Sequence, residues 1–124
     1  MKLLGIRPIF YTDDLDGTIE FYTEILRFTL ADRNDDWGWA SLFKDTVEVM
    51  LARPNAHVTF DKAQFTGSMY FNTDDADALW SELKDKTKIC YEIDSFDWGM
   101  REFAIYDNNG YVLQFGQEIK NGKS

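Results

Sequence analysis

Six aspartates stand in two matched clusters. Phe10-Tyr11-Thr12-Asp13-Asp14-Leu15-Asp16 returns 61 residues later as Phe71-Asn72-Thr73-Asp74-Asp75-Ala76-Asp77, with five of the seven positions identical. Clustered carboxylates can hold a divalent cation or move protons. Each cluster, however, sits immediately before a helical pattern. There a carboxylate accepts hydrogen bonds from free N–H groups and meets the positive end of the helix dipole. No third element converges on either cluster, so capping is the expected role. At the same offset Asp36-Trp37-Gly38 returns as Asp97-Trp98-Gly99. Two matches sharing one offset point to two copies of one supersecondary unit, each too small to bury a core alone. A seam between related halves is a place where small-molecule sites form.

Other chemistry is sparse. Cys90 is the only cysteine, so no intramolecular disulfide is possible, and His57, the only histidine, stands alone in a linker stretch where no Ser-His-Asp or Cys-His arrangement can be built on it. The glycines are scattered and form no phosphate loop. Glu48 and Glu92 are solitary strand carboxylates, and Glu102 follows Arg101 so closely that the two side chains take opposite faces of a strand. The net charge is −9, from 13 basic and 22 acidic residues. Such a chain is a poor partner for nucleic acid and a better one for a cation. Aromatic residues make up 16 %, and several need a role. Trp37 and Trp39, two apart on one expected strand, share a face. Trp98 opens the matching segment of the second half, and Phe60, Phe65 and Phe96 fall in loop-like stretches. No apolar run approaches the roughly 20 residues of a membrane span, and the first ten residues lack the pattern of a signal peptide. A cytoplasmic location is the default expectation.

The elements that must carry these groups repeat in the same order. Residues 4–11 read as a strand. Leu15, Ile19, Tyr22 and Leu26 mark one helical face, widened by Phe21 and Ile25. Residues 28–31, 37–43 and 47–53 read as three further strands. In the second half, residues 68–72 are a strand and Ala76, Leu79, Trp80 and Leu83 form an amphipathic helical face. Strands at 89–93, 102–106 and 111–117 follow, the last two joined by the turn residues Asp107-Asn108-Asn109-Gly110. The chain thus reads as one domain of two βαβββ modules, about 1–53 and 66–119, with a linker over 54–65 and a frayed tail after 119.

Two such modules in about 120 residues resemble the vicinal oxygen chelate superfamily, which includes glyoxalases, extradiol dioxygenases and the fosfomycin and bleomycin resistance proteins. The opening Pro8-Ile9-Phe10-Tyr11-Thr12-Asp13-Asp14-Leu15, with Phe21-Tyr22 and Ile25-Leu26-Arg27-Phe28, carries part of the likeness. The stretch from Trp98-Gly99-Met100-Arg101-Glu102-Phe103-Ala104 through Asp107 and Gly110 to Leu113-Gln114-Phe115 is similar to the bleomycin resistance branch in particular. Arg27 stands where the family usually has glycine, and Asn108-Asn109 replace the usual Pro-Asp. The resemblance implies an α+β fold in which the tandem βαβββ modules form a curved mixed sheet with helices outside.

The resemblance also implies positions for a metal. The family's first-strand ligand position falls on Arg7, its fifth-strand position on Ser68, its last-strand position on Gln114, and a fourth within 48–52. Arg, Ser and Gln do not make a catalytic metal site, so neither metal nor cofactor is expected. The implied function is that of a non-catalytic, homodimeric binding protein. It would sequester a cationic or aromatic small molecule, bleomycin-like, in a groove at the dimer interface. Trp37, Trp39, Trp98, Phe96, Asp36 and Asp97 are the expected groove residues, and Pro8 the expected hinge of an N-terminal arm exchanged between subunits. The alternatives are a metal-dependent glyoxalase- or dioxygenase-type enzyme with displaced ligands, and a dimeric scaffold without a ligand.

Overall fold

The computed structural model describes residues 1–54, 61–65 and 67–120. His57 and Phe60, and the end of the tail, lie outside the described residues. The chain divides into two compact units, Met1–Ala63 and Gln64–Ser124.

In the first unit β1 (Ile9–Tyr11) leads into α1 (Leu15–Glu20), which continues as a π-helical turn over Phe21–Ile25. Three strands follow, β2 (Thr29–Asn34), β3 (Trp39–Lys44) and β4 (Val47–Ala52). They pair in the order β1-β4-β3-β2, with β1 parallel to β4 and the others antiparallel. The second unit repeats the plan with β5 (Met69–Asn72), α2 (Ala76–Leu83), β6 (Lys88–Ser95), β7 (Met100–Tyr106) and β8 (Val112–Glu118). Its order is β5-β8-β7-β6, with β5 parallel to β8. Both expected βαβββ modules are therefore present, each as a four-stranded mixed sheet.

The aspartate clusters do structural work, divided by position. Asp14 and Asp75 are the N-caps, each accepting a hydrogen bond at 3.0 Å, from the N–H of Gly17 and of Ala78. The threonine two residues earlier accepts from the cap's own N–H in both copies. The last aspartate of each cluster does something else: Asp16 pairs with Arg33 and Asp77 with Arg101. The second match also has a structural meaning. Gly38 and Gly99 have φ of 65° and 87°, the left-handed region that glycine adopts without cost. Each closes a tight turn, donating its N–H to the carbonyl of Asp35 or of Phe96.

Alternation along each strand sends one face toward the helix. In the first unit Phe10, Leu42, Val49 and Leu51 are buried together with Leu15, Ile19, Tyr22 and Leu26 of the helical segment, as the periodicity predicts. Tyr22 is the centre of that core, its ring 6.1 Å from Phe10 and 5.8 Å from Phe28. In the second, Trp80 of α2 meets Phe103, which lies in a row of stacked rings with Phe115 and Phe71.

Three expectations are corrected. The strand expected over 4–11 begins only at Ile9, because Pro8 has no N–H for a ladder; its carbonyl still accepts from Met50. Residues 1–7 form no strand, and Leu3, Leu4 and Ile6 are almost fully exposed. The strand expected to start at Trp37 starts at Trp39, since the turn closed by Gly38 claims Trp37. The aspartates are not equivalent caps, as described above.

Arg27 ends the first helical segment with φ of 67°. The carbonyls of Phe21 and Tyr22 accept from Leu26 and Phe28, so the chain reverses around a left-handed residue as at a glycine C-cap. A side chain in this conformation costs roughly 1–2 kcal/mol. Arg27→Gly and Arg27→Ala remove the same guanidinium, so their difference isolates the backbone. Arg27→Gly is expected to be the more stable by about 1 kcal/mol in urea denaturation, and equal stability would refute backbone cost at this turn.

Candidate functional site

The face of the second sheet turned away from α2 carries a polar row. Strand register sets Tyr70 of β5 beside Gln114 of β8, Gln114 beside Ala104 of β7, and Ala104 beside Tyr91 of β6. In the next row Glu102 lies opposite Gly116. The two small residues, Ala104 and Gly116, make room for the tyrosines to lean diagonally. A Cβ on Gly116 would stand 1.9 Å from the Tyr70 hydroxyl oxygen, so only glycine lets that ring cross β8.

Both tyrosines converge on Glu102, which is 3 % exposed. Its Oε1 accepts from the Tyr70 hydroxyl at 2.7 Å and from Trp98 Nε1 at 3.1 Å. Its Oε2 accepts from the Tyr91 hydroxyl and, at 3.5 Å, from Gln114 Nε2. Gln114 Nε2 also donates to the Tyr91 hydroxyl at 2.7 Å, and Gln114 Oε1 accepts from the Ser68 hydroxyl. Burial works to raise the Glu102 carboxyl, but donors from Tyr91, Trp98, Tyr70 and Gln114 outweigh it and hold the group below the ordinary carboxyl value. Glu102 is therefore an anion at neutral pH. Burial, together with the Glu102 charge, pushes Tyr70 up, and Tyr91 is pushed up to about 12, so both remain neutral donors. Every partner of Glu102 among the described residues is neutral. Arg101, its neighbour in sequence, faces the other way and grips Asp77 at 2.9–3.0 Å.

Aromatic rings border this carboxylate. Phe96 stacks on Trp98 with centroids 4.7 Å apart and planes within 7°. Tyr91 meets Phe96 edge-on at 5.8 Å and 87°. Trp98 remains 64 % exposed. An ionised, desolvated carboxylate beside several π faces is suited to a cation, through both charge and the ring quadrupoles.

Of the residues expected from sequence, the structure brings Trp98 and Phe96 to this corner. Asp97 lies in the same turn and is exposed. In the first unit Trp37 and Asp36 are exposed in the equivalent turn, while Trp39 donates its indole N–H to Met50 Sδ at 3.4 Å. Tyr70, Tyr91, Gly116 and the partnering of Glu102 are not assigned by sequence reasoning, and Gln114 is named there only as a family metal-ligand position. One signal was available, since a glycine inside an apolar strand marks a close approach.

The metal-ligand positions of the resembled family can now be placed within each unit. Ser68 and Gln114 touch one another, as ligand positions should. Phe10 pairs with Leu51 in the first unit and Phe71 with Phe115 in the second, so Met50 is the counterpart of Gln114. The fourth position, unresolved within 48–52, thus falls on Met50. Arg7 is 3.6 Å from Glu48. Arginine, thioether, hydroxyl and amide are not a donor set for a hard or borderline divalent ion. Among the described residues no group of three His, Cys, Asp or Glu side chains is arranged to hold a metal. No helix among them is long and apolar enough to cross a membrane.

Solved structures share this fold at low identity. A glyoxalase/bleomycin resistance protein/dioxygenase from Nocardioides superposes with a TM-score of 0.79 at 18 % identity, over 98 % of this chain and 88 % of its own. TioX from Micromonospora sp. ML1 gives 0.72 at 18 %, over 93 % and 100 %. Lactoylglutathione lyase from Agrobacterium tumefaciens gives 0.69 at 17 %, over 91 % and 92 %. No curated protein sequence matches the chain. The profile of the Glyoxalase/Bleomycin resistance protein/Dioxygenase superfamily matches residues 6–115. With its paired βαβββ units, the chain belongs to that superfamily.

Proposed function

We propose that the protein is a non-catalytic binder of the bleomycin resistance type, sequestering a cationic, aromatic small molecule and so serving antibiotic resistance in the cytoplasm. The observation that carries this reading is Glu102, a buried anion whose partners among the described residues are all neutral, beside exposed Trp98. A planar ligand gains from stacking on the indole. A positive charge gains from the carboxylate and from the net charge of −9. The enzymatic alternative requires a metal, and the side chains at the family's ligand positions argue against it.

The expected homodimer is part of this proposal, with ligand grooves at the subunit interface. It is supported by the N-terminal arm, where Leu3, Leu4 and Ile6 are 97 %, 92 % and 91 % exposed ahead of Pro8. An arm of that composition suits burial against a second copy, with Pro8 as hinge.

Bleomycin is a suitable first probe. Its binding should quench tryptophan emission, and the drug should be recovered chemically intact. Trp98→Leu should weaken binding about three- to tenfold, the worth of one aromatic contact. An unchanged emission removes bleomycin as the ligand. Drug turnover, or stoichiometric nickel, zinc, manganese or iron in the purified protein, would overturn the non-catalytic reading.

Deleting residues 1–7 is expected to shift the sedimenting species from dimer to monomer. A dimer that survives the deletion would refute the exchanged arm.

The Glu102 carboxylate also predicts a pH dependence. Its folded-state value lies below the unfolded one near 4.5. The stability it contributes is thus present above that value and is lost as pH falls through the folded one. Glu102→Gln should cost about 1–3 kcal/mol at neutral pH in urea denaturation. The gap to the parent should narrow as pH falls from about 7 to about 3. A gap independent of pH would mean that Glu102 is not the anion inferred here.

A further inference from the structure

The hydrogen bonding around Glu102 restricts which cation the corner can take. Each carboxylate oxygen already receives two donors: Tyr70 and Trp98 on Oε1, Tyr91 and Gln114 on Oε2. A carboxylate offers about four lone-pair sites, so little remains for a ligand's own N–H groups. A primary ammonium carries three donors and a tightly held hydration shell. To enter a corner whose acceptor is occupied, it must shed water without new hydrogen bonds, or displace a buried donor that then lacks a partner. Both options are costly. A cation without N–H groups needs no acceptor. It loses only weak hydration, feels the full carboxylate charge at a distance, and gains from ring faces. The rings are placed for that contact: Phe96 and Trp98 are parallel at 4.7 Å, and Tyr91 stands at 87° to Phe96.

We infer that the Glu102 corner selects permanently charged, donor-free cations, quaternary ammonium or N-alkylated heteroaromatic groups, over primary ammonium groups of similar size. This inference rests on the small-molecule binding reading and adds the class of charged group recognised. It assigns roles on both sides of the selection. Tyr70, Tyr91 and Gln114 keep the carboxylate saturated, and Gly116 keeps the Tyr70 hydroxyl in reach of it. Trp98 supplies the contact surface.

Three probes separate the contributions: benzyltrimethylammonium, its neutral isostere neopentylbenzene, and protonated benzylamine, which carries three N–H groups in place of the three methyls. Binding is read by calorimetry and by the indole N–H signals in NMR. Benzyltrimethylammonium should bind about tenfold more tightly than either of the others. In Glu102→Gln its advantage over the neutral probe should largely disappear. Trp98→Leu removes the ring face and one donor to Glu102, and, checked for retained fold by circular dichroism, should weaken the quaternary probe more than the ammonium. If benzylamine binds as well as the quaternary probe or better, the selectivity is refuted while small-molecule binding stands. If the neutral probe matches the quaternary one, recognition is apolar and the role of Glu102 is refuted. If no probe binds and no indole signal moves, the binding reading of this face fails and the inference with it.

Discussion

Among the described residues each unit pairs one sheet with one helical segment, and the molecule's chemistry follows from that constraint. Period-two alternation gives a four-stranded sheet two faces, but the helical segment of a βαβββ unit can bury only one. In the second unit that face is Phe71, Phe103 and Phe115 against Trp80 of α2. The other face is free of the demand to be apolar. It is there that Tyr70, Tyr91, Glu102 and Gln114 stand, supported from behind by a packed aromatic layer that holds their backbones in register.

The two units share this plan and use the face turned away from the helix differently. At the matched positions of β4 and β8 the first unit has Met50 and the second Gln114. Met50 accepts from Trp39, a soft contact of modest strength. Gln114 links Ser68 to Tyr91 and Glu102 in one continuous network. Both positions correspond to ligand sites in the enzymes that this chain resembles. Here one has become apolar packing and the other a positioning group for an anion. Among the described residues this buried carboxylate is satisfied only by neutral donors and keeps its charge uncompensated, the feature on which the proposed cation binding rests.

Much of the fold was legible in the residues, and for definite reasons. Leu15, Ile19, Tyr22 and Leu26 recur at helical spacing because one face of the helical segment must meet a sheet, and all four are buried. The paired Thr-Asp-Asp stretches announce helix starts because free N–H groups need an acceptor there. The legible part of the corner is Trp98, marked by the repeated Asp-Trp-Gly, and Phe96, an aromatic in a loop-like stretch that needs a partner. Glu102 gave no such signal. Its donors come from residues 70, 91, 98 and 114, and no local spacing connects them.

The amino-acid sequence by itself determined the duplication, the order of elements, the caps and the face of each helix that is buried. All of these rest on interactions between near neighbours or on periodicity, which a linear pattern records. Tertiary structure alone decided which side chains meet on the face of the second sheet turned away from α2. Strand register places Tyr70 beside Gln114 and Glu102 beside Gly116 across 44 and 14 residues of chain. A shift of one residue in that register would turn each of these side chains to the opposite face. The chemistry of the corner is thus a property of strand pairing, set by the apolar face packed beneath it.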